Sequence, residues 1–242
     1  MSLPTLPSVG TARSSRGGQI FCATPFRAAL VRSLPFLLYM IALALEPVVA
    51  PGLGDERWWY LGRVGLAALA LVGLFCCYGE LTSREGLSWR NIVLALAAGL
   101  AVFVTWINVD QPGLTLGKSA GFMPVNGDGS LNLPMVFLRL CGASLVVPLM
   151  EELFWRSFLL RWFDRGDFVS LLPRQISAQA ILLCAIPFGL EHHLWFAGIV
   201  AGVTYGVIYR QTGNLWLPIL AHAVTNFCLG AWIVAGGHWS FW

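Results

Sequence analysis

Two adjacent glutamates, Glu151 and Glu152, interrupt the apolar run from Leu145 to Trp155. An ionised side chain at the centre of a membrane helix costs about 2.5–3.5 kcal/mol on insertion scales, so such a group is kept for a partner or for a function. In a helix Glu152 and Arg156 stand four apart on one face in the favourable acid-before-base order, while Glu151 is turned about 100° away. Glu152 is therefore expected to pair with Arg156 in a structural role. Glu151 is left as the carboxylate free for chemistry, and Pro148, one turn earlier, would loosen the helix and help aim the pair.

A second cluster, Pro187 to His193, places Glu191, His192 and His193 at the end of another apolar run. Phe188 and His192 are four apart, so the ring can pack over the imidazole, with His193 in a supporting place beside it. A third cluster runs from Ala221 to Asn226, where His222 and Asn226 again share a face and can both donate a hydrogen bond to an oxygen held between them. A lone intramembrane histidine often serves only as a bond between helices. Three clusters at comparable depth suggest instead one water-holding chamber. Glu151 and His192 would polarise a water as general base, and His222 with Asn226 would stabilise the oxyanion of a tetrahedral intermediate, as amide hydrolysis needs.

The elements that must position these groups are membrane helices. The chain of 242 residues is 57% hydrophobic and only 11% charged, against roughly a quarter charged in ordinary soluble domains. Its net charge of +3, with arginines spread along the chain, excludes a nucleic-acid surface. The six cysteines have no ligand spacing and read as small buried hydrophobes. Apolar runs near the roughly 20 residues a bilayer requires fall at 28–50, 58–79, 90–108, 133–157, 177–194, 196–210 and 214–235. The expected fold is thus all-α, a polytopic transmembrane bundle of about seven spans (six to eight), with residues 1–27 a disordered cytoplasmic tail and 28–242 one domain. Arg13, Arg16, Arg27, Arg32, Arg84, Arg90, Arg161, Arg165, Arg174 and Arg210 fall to one side and Arg57, Arg63 and Lys118 to the other, which predicts an N-in, C-out chain. Gly198, Gly202 and Gly206, four apart, predict close helix packing.

Taken in order, E-E-x-x-x-R at Glu151–Arg156, F-x-x-x-H at Phe188–His192 and H-x-x-x-N at His222–Asn226 resemble the CAAX protease and bacteriocin-processing family of intramembrane proteases, which includes the type II CAAX prenyl endopeptidases. The run from Glu191 to Gly198 looks closest to a bacterial subgroup associated with exosortase sorting systems. The resemblance implies a catalytic core at about 133–235 and a chamber open to the cytoplasm of a bacterial plasma membrane. It implies cleavage near the C-terminus of a protein or peptide substrate, with catalytic roles for Glu151, His192, His222 and Asn226. A glutamate-dependent mechanism without a cofactor is preferred, since no H-E-x-x-H is present. If zinc is bound, Glu151, His192 and His222 are its expected ligands. The partners expected are the substrate and membrane lipid. A non-catalytic scaffold that binds a partner enzyme is the alternative, and a carrier is disfavoured because no internal repeat is found.

Overall fold

A computed structural model describes residues 24–117 and 121–242. The expected tail up to residue 23, with Arg13, Arg16 and Cys22, and the loop residue Lys118 lie outside the described residues. Seven helices carry the described chain: α1 Pro25–Val49, α2 Trp58–Gly73, α3 Trp89–Asn108, α4 Leu133–Asp164, α5 Ala178–Leu190, α6 Trp195–Thr212 and α7 Trp216–Gly236. The first helix begins at Pro25, inside the stretch assigned to the tail. Four of them, α1, α3, α4 and α7, are long and apolar enough to cross a membrane, and α2 and α5 are shorter apolar helices. The fold is an all-α membrane bundle.

Local chemistry sets the ends of these helices. Thr24, Ser88, Asn132 and Ser177 cap α1, α3, α4 and α5 through their side chains, each accepting a backbone N–H three residues on. Gly213 and Gly237 close α6 and α7 in the left-handed conformation that a residue without Cβ adopts freely. The second span stops at Gly73, short of the expected residue 79, and continues as two 3₁₀ turns. The fifth stops at Leu190 instead of 194, and the reason lies in His192. Its ring Nδ1–H donates to the Phe188 carbonyl at 2.7 Å, taking the acceptor that the next helical N–H would need.

Helices α1 and α2, α3 and α7, and α5 and α6 pack as pairs around α4. The glycine stripe lies at the tightest of these seams. A Cβ on Gly198 would stand 2.8 Å from Gly189 Cα, and one on Gly202 would stand 2.9 Å from Ala185 Cα, so the two backbones approach as only small residues allow.

The connections gather at two ends. At one, Arg57 donates to Val125 O at 2.7 Å, Leu116 N to His193 O at 2.7 Å and Phe122 N to Trp239 O at 3.3 Å. These bonds tie together the segments 50–57, 109–132, 191–194 and the C-terminal residues. At the other, Asn214 donates to Ser83 O and Glu85 O, and Arg174 to Thr212 O. This second end carries Arg27, Arg84, Arg90, Arg165, Arg174 and Arg210. It also holds a buried ion pair in which the Arg32 guanidinium grips both oxygens of Glu80 at 2.8 Å, with Ser157 donating to the same carboxylate.

Candidate active site

Helix α4 is not a regular helix. Two π turns, Gly142–Val146 and Leu153–Leu159, flank the six-residue α segment Val147–Glu152 that bears both glutamates. In the i→i+5 register of the first π turn, Val147 N–H bonds Gly142 O. The partner of the Ala143 carbonyl would then be residue 148, a proline without an N–H. Asn226 of α7 fills that place, its Nδ2 donating to Ala143 O at 2.8 Å. The side-chain amide has two N–H groups, so one donor remains. Pro148 therefore loosens the helix as its sequence position suggests, and the freed carbonyl anchors a polar residue of the next wall.

The adjacent glutamates occupy different surroundings. Glu152 Oε2 lies 3.0 Å from Arg156 Nε, and both side chains are fully buried. Its Oε1 accepts the Nδ1–H of His222 at 2.9 Å, because a carboxylate facing an arginine can only accept. That bond fixes the imidazole with Nε2 turned toward Glu151, whose Oε2 stands 4.0 Å away. Glu151 is buried, and its Oε2 has no hydrogen-bond partner among the described residues. Tyr205 of α6 stacks on His222 at 5.0 Å and 21°, held by its own hydroxyl bond to Thr225 at 2.8 Å.

His192 stands just beyond α5. With Nδ1–H on the Phe188 carbonyl, its Nε2 is free to accept a proton. Trp106 of α3 meets the ring edge-on at 5.4 Å and Phe188 packs against it at 5.0 Å. Phe188 also lies under Arg156, whose guanidinium carbon is 4.3 Å from the ring centre. Glu151, Phe188, His192, His222 and Asn226 line one cavity of about 210 Å³, far above the roughly 15 Å³ a single water needs. His193 is elsewhere. It lines the adjoining cavity and is clamped to Leu116, accepting that residue's N–H on its carbonyl and placing Nδ1 2.5 Å from its carbonyl.

The zinc ligands expected from the sequence do not form the cluster seen here. The described acidic and imidazole groups that converge are Glu151, Glu191 and His192, whose donor atoms lie within 4.8 Å of one another. His222 is held back by its bond to Glu152. By donor type, two carboxylates and an imidazole suit a divalent cation such as zinc. Glu191, adjacent to His192, was legible as a polar neighbour but not as a member of the site. Tyr205 and Thr225 carried no sequence signal that singled them out.

The cavity has a floor and a mouth. His222, Glu151 and Phe188 line its deep part, while Tyr60, Arg139, Phe241 and Trp242 carry it toward the end where segments 50–57 and 109–132 meet the C-terminal residues. An N-in chain would put this mouth away from the end that carries Arg27, Arg84, Arg90, Arg165, Arg174 and Arg210, whereas a chamber open to the cytoplasm was expected. Depth along a helix measures distance from a boundary and is silent on which way a cavity runs.

Among known proteins, residues 133–228 match the family model described as Type II CAAX prenyl endopeptidase Rce1-like. The match runs from the start of α4 into α7, and all three motifs fall inside it: Glu151–Arg156 on α4, Phe188 on α5 with His192 just beyond it, and His222 and Asn226 on α7. The matched segment is thus similar to the family that those motifs resemble. No curated protein and no solved structure matches the chain.

Proposed function

We propose that this chain, with residues 133–228 matching the type II CAAX prenyl endopeptidase Rce1-like family, is an intramembrane endopeptidase that cleaves near the C-terminus of a protein or peptide. The observation that carries the reading is the buried, unpartnered Oε2 of Glu151 in a cavity shared with His192, His222 and Asn226. A water between Glu151 and His192 gives one proton to the Glu151 carboxylate while His192 Nε2 accepts its other hydrogen bond, and the hydroxide adds to the scissile carbonyl. The remaining N–H of Asn226 and the imidazole of His222 stabilise the oxyanion. Collapse of the tetrahedral intermediate breaks the C–N bond as the proton on Glu151 passes to the leaving amine.

The arginine-rich end is cytoplasmic by the positive-inside tendency, so the mouth opens on the opposite side of the membrane. A metal-assisted route is the second reading, favoured by the convergence of Glu151, Glu191 and His192. Those three residues would hold the ion, which would supply an activated water at neutral pH. Purified protein in lipid nanodiscs, given a peptide library read by mass spectrometry, tests the activity. Cleavage is expected, and its loss in both Glu151→Ala and His192→Ala; cleavage undiminished in these variants sinks the protease reading and leaves the scaffold. Elemental analysis decides the second reading: a stoichiometric metal lost together with activity on chelation, and restored with it, would replace the metal-free route.

A further inference from the structure

Two arginines on the cavity wall, Arg63 and Arg139, are left unused by the catalytic chemistry, and Arg63 is paired with Glu46. Arg139 lies on α4, nine-tenths buried, and its Nε has no hydrogen-bond partner among the described residues. The other arginines buried in the bundle are paired or bonded: Arg32 with Glu80, Arg63 with Glu46, Arg156 with Glu152, and Arg161 with three backbone carbonyls. No described carboxylate lies within ion-pair distance of Arg139. Its guanidinium is instead enclosed by rings, 4.0 Å from the centre of Phe122, 4.4 Å from Tyr60 and 5.3 Å from Trp242. Aromatic faces fix a guanidinium in place and attract its charge without consuming its N–H donors. A buried cation whose Nε finds no hydrogen-bond partner among the described residues is arranged to receive an anion, and a carboxylate matches its fork.

Its position relates this donor set to the catalytic carboxylate. Arg139, Ala143, Val147 and Glu151 follow at four-residue intervals along α4, and all four line the same cavity. Arg139 also lines the neighbouring cavity at the mouth, with Phe122 and Trp242, where Glu46 is paired to Arg63 and Glu56 stands at the rim. Along a helix the separation from Arg139 to Glu151 is about 18 Å. An extended peptide covers that distance in about five residues. Between the two charged ends the wall is apolar, built by Ala143 and Val147.

The geometry points to Arg139 as the anion subsite of the chamber, receiving the C-terminal carboxylate of the substrate while the preceding apolar residues lie along Ala143 and Val147 to the scissile bond at Glu151. This assignment deepens the endopeptidase reading and rests on it, but its binding step is measurable without turnover. A fluorescent peptide with an apolar C-terminal stretch is prepared as the free acid and as the carboxamide, and anisotropy reads its binding to the Glu151→Gln protein in phosphatidylcholine nanodiscs. The acid is expected to bind at least about tenfold more tightly, the scale of one charge-assisted contact. Adding Arg139→Gln brings the ratio of the two affinities to about one, and Arg139→Lys retains part of the preference.

Equal binding of acid and carboxamide to the Glu151→Gln protein overturns the subsite, as does a preference that survives Arg139→Gln. An Arg139-dependent signal that requires added phosphatidylglycerol assigns the anion to a lipid headgroup and also overturns it. Failure of cleavage in the wild-type protein, with the acid preference intact, would strike the endopeptidase reading and leave the carboxylate site standing.

Discussion

The Nδ1–H of His222 donates to Oε1 of Glu152 at 2.9 Å, across a bond that joins the last helix to the glutamate helix. The other oxygen of the same carboxylate faces Arg156 at 3.0 Å. Glu152 therefore does more than neutralise an arginine: it chooses which imidazole nitrogen points into the cavity. Neighbouring glutamates on one helix thus divide into one that orients an imidazole and one whose Oε2 is left without a hydrogen bond among the described residues.

That division predicts opposite phenotypes for two conservative changes. Glu152→Gln leaves Arg156 without its buried counter-ion and should cost about 3–5 kcal/mol, read as a clear drop in the thermal melt of purified protein. Glu151→Gln removes a carboxylate whose Oε2 makes no hydrogen bond among the described residues, so its melt should stay within about 1 kcal/mol of wild type while peptide cleavage falls about a hundredfold or more. Reversed phenotypes would contradict the assignment.

The seam between α5 and α6 should tolerate no added carbon. A Cβ on Gly202 meets Ala185 Cα at 2.9 Å and Phe188 Cδ1 at 3.2 Å, so Gly202→Ala must push α5, and Phe188 with it. Overpacking of this kind costs about 1–3 kcal/mol, and because Phe188 supports His192 the cleavage rate should fall as well. Gly62→Ala, where a Cβ meets nothing within 4 Å, is the control and should leave the melt unchanged or slightly raised. A Gly202→Ala protein as stable and active as the control would refute the close seam.

Acid should loosen the end opposite the mouth through Glu80. Burial pushes its carboxyl up, but the Arg32 guanidinium and the Ser157 hydroxyl outweigh burial and hold it below its ordinary value of 4.5. A carboxyl that titrates lower in the folded chain than in the unfolded one contributes stability that is fully present above the unfolded value. That stability drains as pH falls through the folded value. Thermal melts taken from pH 6 downward should therefore decline below about pH 4.5 in wild type. The decline should be shallower in Glu80→Gln; parallel curves would show that the pair does not set the acid response.

Side-specific labelling checks the orientation. In a chain whose cysteines have been replaced by serine, Asp128→Cys, in the loop at the mouth, should react with a membrane-impermeant maleimide in intact cells. Arg165→Cys, at the arginine-rich end, should react only after permeabilisation. The reverse pattern would put the mouth on the cytoplasmic side and overturn the reading from arginine distribution.

How far the sequence reached depended on the range of each interaction. The helices were legible because a bilayer imposes length and hydropathy on each run separately, and the Glu152–Arg156 pair because four-residue spacing is enough to define it. The end of α5 was not, since it depends on the His192 ring competing for the Phe188 carbonyl. The bond from Glu152 to His222 joins residues 70 positions apart, and nothing in local spacing announces it. Arg139 read as an unremarked charge near the start of a span; its meaning came only when Tyr60, Phe122 and Trp242 closed around it.

Each π turn of α4 holds one residue more than an α turn would. The glutamate pair consequently rides on a short splint between two expansion joints. At either joint a single residue can be deleted while the turns on both sides stay in phase, so the carboxylates keep their aim. A deletion within Val147–Glu152 itself has no such slack and would swing the remaining acid about 100° around the helix. The helix most constrained by its chemistry is thus the one with a built-in allowance for change in length, confined to the segments that flank its reactive stretch.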